Sequence, residues 1–234
     1  MASSAISTYF WRNTKLKCNL IGLTQPSAYT GCSTAQELVA YCARVSNPKN
    51  QENHGTGSKL IRHLLDEGHW SPLEMVNLNI EVVTTRDIAR QILRHRSFSF
   101  QEFSQRYAKA TEFVYREARL QDKKNRQNSI PTSNRALQEE WRMRQAHLLQ
   151  QIEENYDWAL EMDIAKEQAR AILPEGMTVS TLYMNGTLRS WVHYCMLRRG
   201  HGTQLEHMEV ANLCWEILKQ HFPDVVEACE GLTG

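Results

Sequence analysis

Apolar residues in this chain change period several times, and each change predicts an element. Leu38, Val39, Tyr41, Cys42 and Val45 recur at helical spacing. Ahead of them Thr34-x-x-Glu37 forms a capping box, in which hydroxyl and carboxylate satisfy the first free N–H groups of a helix. That helix is predicted to end near Ser46-Asn47-Pro48, because a residue before proline avoids the helical region. Residues 49–57 are polar and read as a loop, followed by a helix over 58–67 that stops at Gly68. Val76, Leu78, Ile80 and Val82 then alternate with Asn77, Asn79, Glu81 and Val83, the period of a strand with one buried face. A second capping box, Thr84-x-x-Asp87, predicts a helix carrying Ile88, Ile92 and Leu93 and ending near Arg96. Residues 97–108, rich in Phe, Ser and Tyr, read as extended.

The polar stretch 111–134, with Lys123, Lys124, Asn125, Asn128 and Pro131, predicts a surface excursion. A long amphipathic helix is predicted over 135–162 and a shorter one over 164–173, ahead of Pro174. Residues 178–184 resemble a strand, and helices at 186–199 and 203–221 take Gly200 and Pro223 as stops. Residues 1–19 show no period. Neither an internal repeat nor a linker divides the chain. The expected fold is α+β: a single domain over 16–234 with a small central antiparallel sheet covered by several helices, after an N-terminal extension of residues 1–15.

Composition narrows the class. The 234 residues are 41% hydrophobic and 23% charged, as in an ordinary globular protein, and the formal net charge of +1 is low for a dedicated nucleic-acid binder. No run of about 18 apolar residues exists, so no membrane partner is expected. Met1–Leu20 mixes Arg12, Lys15 and Lys17 with short apolar patches and lacks the continuous apolar centre of an export signal, so the expected location is cytoplasmic, in a cell or an infected host. The six cysteines, at 18, 32, 42, 195, 214 and 229, form no CxxC pair and read as reduced core thiols. His63, His147, His201, His207 and His221 lack metal-ligand spacing and read as surface or core residues, so no metal is expected. Trp141, Trp158, Trp191 and Trp215 read as packing.

The chemistry-bearing residues concentrate between 91 and 107. On a helix ending at Arg96, Gln91, Arg94 and His95 stand at i, i+3 and i+4 and share one face. If 101–107 is extended, Glu102, Ser104 and Arg106 point to one side, an acceptor, a hydroxyl and a guanidinium in a row. Such a set suits a nucleotide, with arginine and serine on phosphate and glutamate on a sugar hydroxyl or a ring. Neither GxxxxGK[ST] nor GxGxxG is present, so any phosphate must be held by side chains. The same arginines, joined by Arg198 and Arg199, suit a nucleic-acid-binding module as well.

The run Arg94-His95-Arg96 through Ser99, Glu102, Ser104, Arg106 and Tyr107 resembles the signature of flavin-dependent thymidylate synthases, with Gln101 where that family most often has Asn. Gly68-His69-Trp70-Ser71-Pro72-Leu73-Glu74 is similar to the family's GHxSxxEH element, with Met75 in place of the last His. Ala169-Arg170-Ala171-Ile172-Leu173-Pro174 resembles its ARxxLP segment, and Gly186 through Arg198 its last binding helix. The resemblance covers roughly 16–225.

The resemblance implies conversion of dUMP to dTMP, with methylenetetrahydrofolate and NADPH as co-substrates, FAD as cofactor, and a homotetramer whose active sites lie at subunit junctions. It implies that Gln91, Arg94, Glu102, Ser104, Gln105, Arg106, Arg170 and Arg198 hold dUMP. Ser71, Arg94, His95, Arg96, Glu102, Thr187, Arg189 and His193 would hold FAD, with His193 standing where the family often has Asn. Arg198 would activate the pyrimidine ring, and His69 would sit near flavin and folate. At about 100° per residue, Arg189 and His193 share a helix face and Arg198 points the other way. One face would serve FAD and the other dUMP, so the helix is expected to contribute to two active sites or to lie between two subunits.

Overall fold

The computed structural model describes residues 16–110 and 112–232; the expected extension 1–15 lies outside them. In chain order the elements are β1 (Lys17–Leu23), α1 (Ala35–Ala43), α2 (Gly57–Asp66), β2 (Asn77–Thr85), α3 (Arg86–Ile92), β3 (Ser99–Glu102), β4 (Arg119–Gln121), β5 (Ser129–Pro131), α4 (Arg135–Glu161), α5 (Lys166–Ala169), β6 (Val179–Thr187), α6 (Leu188–Arg198), α7 (Leu205–His221) and α8 (Pro223–Leu232). The described residues group into two compact units, which the chain enters more than once. One takes 16–83, 90–102 and 181–232; the other takes 84–89 and the described part of 103–180.

The first unit holds a small sheet in the order β1-β2-β6-β3, with β1 on β2 and β3 on β6 antiparallel. Its register follows the alternation in the sequence. Leu78, Ile80 and Val82 of β2, and Leu182 and Met184 of β6, are fully buried, and the residues between them face outward. Strand β1 occupies a stretch expected to be irregular. It is an edge strand with an irregularity between Leu20 and Gly22, and its alternating side chains are exposed or only partly buried, so polar and apolar residues alternate only from Lys17 to Leu20. Trp191 of α6, fully buried, donates its indole N–H to the Leu78 carbonyl at 3.2 Å and ties the helix to the sheet.

Several boundaries differ from expectation. Thr84 lies within β2, and the Thr85 hydroxyl, not Thr84, meets the Asp87 carboxylate at 2.5 Å. Gly186 and Thr187 finish β6 instead of opening a helix. Thr187 caps α6, its hydroxyl accepting the Ser190 N–H at 3.2 Å. The helix expected over 203–221 ends at His221, ahead of Pro223 as expected; unexpectedly, Pro223 also opens α8, where its missing N–H costs nothing at a first helical position. The helix expected over 164–173 shrinks to α5 plus one tight turn, Arg170–Ile172.

The second unit is built on α4, whose 27 residues begin at the Asn134 cap. Phe113, Leu149 and Met177 form one apolar cluster, and Tyr156, Ala159 and Ala169 another. The stretch 111–134 is not a loose excursion. Two glutamines of α4 grip its backbone as a neighbouring strand would. Gln145 accepts the Arg116 N–H at 2.8 Å and donates to the Arg116 carbonyl at 2.9 Å; Gln138 does the same for Ala118 at 2.9 and 3.0 Å. Beyond this clamp the chain forms the β4–β5 hairpin. Trp141 and Trp158 of α4, expected to pack, are 41% and 56% exposed, whereas Trp191 and Trp215 are buried.

Candidate active site

The signature residues are set by the chain's exit from α3. That helix ends at Ile92, and Arg94 and His95 stand in tight turns, their N–H groups bonded to the carbonyls of Gln91 (3.4 Å) and Ile92 (3.0 Å). The expected common helix face of Gln91, Arg94 and His95 is therefore not formed. The turns leave Arg94 and Arg96 exposed and His95 half-buried. Strand β3 then runs only to Glu102. Ser104 opens a turn whose carbonyl accepts from Tyr107 and Ala108, so Ser104 and Arg106 do not continue the alternating face of Glu102. Turn bonding wins because Ser104 supplies a local acceptor: its hydroxyl also meets the Arg106 N–H at 3.4 Å.

In the first unit, α6 offers two different faces. Arg189, Ser190, His193, Met196 and Leu197 join Trp70, Glu74 and Ser97 around a cavity of about 720 Å³. The expectation that Arg189 and His193 share a face is met in this lining. Arg189 pairs with Glu74 at 2.5 Å, both side chains half-exposed. Such a pair is worth little, on the order of 0–1 kcal/mol, so an anion can displace the carboxylate at small cost. Ser190 ties the helix start to the signature by donating to the Ser97 carbonyl at 3.4 Å. Ser71 and His69 are exposed and flank Trp70. His69 sits where the chain leaves α2 through Gly68, whose φ of 71° suits glycine.

Arg198 belongs to the other face of α6. Its Nε–H donates to His95 Nε2 at 2.9 Å, which requires a lone pair there and places the His95 proton on Nδ1. The His95 ring also meets the edge of Tyr194, centroids 4.9 Å apart. Burial, then the Arg198 and His193 charges, lower the His95 pKa from 6.5 to about 4. His207 is fully buried, and burial, then Arg198 and His95, lower its pKa to about 3. Neither Tyr194 nor His207 was marked as functional by the sequence: Tyr194 is an unmatched position inside the last helix of the resemblance, and His207 lies outside every matched segment.

These two histidines carry a stability consequence. The unfolded chain takes up a proton at each near pH 6.5, whereas the folded chain resists until about pH 4 or 3. Folding stability is therefore unaffected above pH 6.5 and falls as the pH drops below it, by up to about 1.4 kcal/mol per pH unit for the fully buried His207 and by less for half-exposed His95. Calorimetry at pH 7 and pH 5 is expected to show a lower melting temperature at pH 5, with a shallower drop in His207→Gln. An equal drop in wild type and variant would overturn the attribution to His207.

The remaining expected residues lie in the second unit. Arg106 pairs with Glu167 at 3.3 Å, and the Lys166 ammonium donates to the Tyr107 carbonyl at 3.0 Å, which holds the 104–108 turn against α5. Arg170 follows directly on α5, half-buried. Gln105 is 3% exposed, yet its Nε2 has no hydrogen-bond partner. A buried amide left without an acceptor costs about 1–3 kcal/mol, and an anionic or carbonyl-bearing ligand would supply one.

The thymidylate synthase complementing protein family matches residues 28–224. The chain is 48% identical to the probable flavin-dependent thymidylate synthase of Paramecium bursaria Chlorella virus 1, over 92% of this chain and 99% of that protein. This chain belongs to the flavin-dependent thymidylate synthase family. It is also 48% identical to the Synechocystis flavin-dependent thymidylate synthase, over 90% of this chain and 97% of the relative. A crystal structure of the UMP/dUMP methylase PolB from Streptomyces cacaoi, bound with 5-Br dUMP, shares the fold with a TM-score of 0.79 and 24% identity, over 92% of this chain and 95% of that one. Family membership leaves the nucleic-acid reading of the arginines without support. Among the described residues, no helix is long and apolar enough to cross a membrane.

Proposed function

We propose that this chain converts dUMP to dTMP, with methylenetetrahydrofolate donating the one-carbon unit and NADPH supplying the reducing equivalents by way of FAD. One observation supports the reading at the level of the site: α6 turns Arg189 and His193 toward a cavity and Arg198 toward His95, so that its functional side chains take different faces. A cavity of about 720 Å³ falls within the range of roughly 300–1,000 Å³ usual for cofactor sites. Its lining suits FAD, since Trp70, Met196 and Leu197 offer an apolar surface and Arg189, Ser97 and Ser190 offer charge and hydroxyls.

In this reading Ser71, Arg94, His95, Arg96, Glu102, Thr187, Arg189 and His193 hold FAD. When bound, FAD supplies the redox chemistry that the side chains lack. Gln91, Arg94, Glu102, Ser104, Gln105, Arg106, Arg170 and Arg198 hold dUMP, and His69 stands near the flavin and the folate. Arg198 places a cation beside the pyrimidine and so favours its ionised form, which raises electron density at the attacking ring carbon. No enzyme thiol is needed, and the three buried thiols are poor candidates for one. All six are free, but burial pushes Cys195 up and Cys229 to about 11, and a hydrogen bond with Cys18 followed by burial pushes Cys214 up. Residues 16–234 act as one catalytic domain, and the active unit is a cytoplasmic homotetramer with sites shared between subunits.

The test is an absorbance spectrum of the purified protein followed by a dTMP-forming assay. Flavin bands near those of free FAD and dUMP-dependent oxidation of NADPH are expected. A protein that binds no flavin when FAD is added and forms no dTMP refutes the proposal.

A further inference from the structure

Behind the signature turn, two buried side chains, His207 and Tyr194, and three partly buried ones, Gln91, Gln204 and Glu206, form one continuous polar chain in the first unit. Gln204 Nε2 meets the Glu206 carboxylate at 3.0 Å, Gln204 Oε1 meets Gln91 Nε2 at 2.8 Å, Gln91 Oε1 meets His207 Nδ1 at 3.2 Å, and His207 Nε2 meets the Tyr194 hydroxyl at 3.1 Å. Only one assignment of hydrogens satisfies it. The Glu206 carboxylate is an acceptor, so Gln204 turns its amide nitrogen there and its oxygen to Gln91. Gln91 must then present nitrogen to Gln204 and oxygen to His207. His207 must carry its proton on Nδ1, which leaves Nε2 to accept from Tyr194.

We propose that His207 is a positioning residue that holds the Gln91 amide, whose donor and acceptor ends Gln204 already sets, in place in the dUMP site. The proposal rests on the thymidylate synthase reading and deepens it. An amide can flip with almost no change of shape, exchanging its donor and acceptor ends. In Gln91 the contacts with His207 and Gln204 use one acceptor site and one N–H, and the remaining lone pair and N–H are left for a ligand. Because Gln91 lies one residue before the end of α3, and its carbonyl holds the Arg94 N–H at 3.4 Å, its side chain and the signature turn share one anchor. The other arm of His207 fixes Tyr194, whose ring lies 4.9 Å from His95. His207 is fully buried between Gln91 and Tyr194, so it acts on the site through Gln91.

The two ring nitrogens allow the arms to be separated. Asparagine at 207 places an N–H where Nδ1 stands and retains the contact with Gln91. Glutamine reaches the position of Nε2 and retains only a partner for Tyr194. Leucine removes both. Steady-state kinetics and melting temperatures are measured on FAD-loaded wild type, His207→Asn, His207→Gln and His207→Leu. The KM for dUMP is expected to rise about tenfold in His207→Leu and His207→Gln, the scale of one lost oriented hydrogen bond, and to stay within about threefold of wild type in His207→Asn. kcat is expected to change less than KM, and the melting temperature of His207→Asn to fall as far as that of His207→Gln. If His207→Leu does not fold, the asparagine and glutamine variants decide alone. A dUMP KM that follows melting temperature across the variants, or that is unchanged in all of them, overturns the proposal. A wild-type chain that forms no dTMP overturns the reading beneath it as well, and the two failures are distinct.

Discussion

Arg198→Ala is expected to lower dTMP formation by at least about a hundredfold while the purified protein still binds FAD. Arg198 is the cation placed against His95, and in the proposed mechanism against the pyrimidine. Losing a group that assists proton removal in the transition state costs on the order of 10²–10⁴ in rate. FAD binding is expected to survive, because Arg189 and His193 line the cavity and Arg198 does not. The substitution has a second readout, independent of turnover. Arg198 is the second cause, after burial, of the low His95 pKa, so its removal is expected to raise that pKa from about 4 toward the ordinary 6.5 without reaching it. A histidine titration by NMR checks this. Arg198→Lys keeps the charge but not the Nε–H aimed at His95, and is expected to recover the shift in pKa better than the turnover. Retained dTMP formation in Arg198→Ala would remove Arg198 from the mechanism.

Gly186→Ala is expected to be the most damaging single-methyl change. A Cβ at residue 186 would lie 2.4 Å from Cδ1 and 2.6 Å from Cε1 of Phe98. Phe98 has no room to yield. It is buried, and its ring packs against Trp191 at 4.9 Å and Tyr194 at 6.1 Å, both fully buried themselves. Overpacking of this kind costs about 1–3 kcal/mol, or roughly 2–4 °C in melting temperature per kcal/mol for a chain of this length. The displaced ring also lies one residue after Ser97, which lines the proposed flavin cavity, so weaker FAD retention is expected alongside the lower melting temperature. Scanning calorimetry and the flavin-to-protein absorbance ratio measure the two effects. A Gly186→Ala protein as stable and as yellow as wild type would show that Phe98 can move.

Both substitutions act through residues that the sequence displayed, and the fold adds the contacts they disturb. Gly186 reads as a helix start within a family motif; only the packing of Phe98 shows that no side chain fits there. Arg198 reads, through the family resemblance, as the residue that activates the pyrimidine; only the fold brings His95, 103 residues earlier, to its Nε–H. Strand β2 was legible residue by residue because one face is buried and the other exposed, so a period of two is written directly into the chain. Helix α4 was legible for the corresponding reason at helical period, and its Asn134 cap agrees. Strand β1 was not legible, since polar and apolar residues alternate over only Lys17 to Leu20 and neither face of this edge strand is fully buried. The end of α3 at Ile92 was not legible either. Arg94-His95-Arg96 is compatible with a helix by local preference, and the turn that exposes it is decided by its neighbours.

The sequence by itself determined the family, the elements with strong periodicity and the residue types available for chemistry, because these depend on local pattern and on a long, specific motif. Only the tertiary structure decided which of those residues meet, which proton each histidine carries and which face of α6 each arginine takes. The physical reason is the range of the interactions. Helix and strand periods are set by residues a few positions apart. Burial, charge pairing and hydrogen-bond polarity, by contrast, depend on partners such as His207 and Gln91, which lie 116 residues apart in the chain and touch only in the fold.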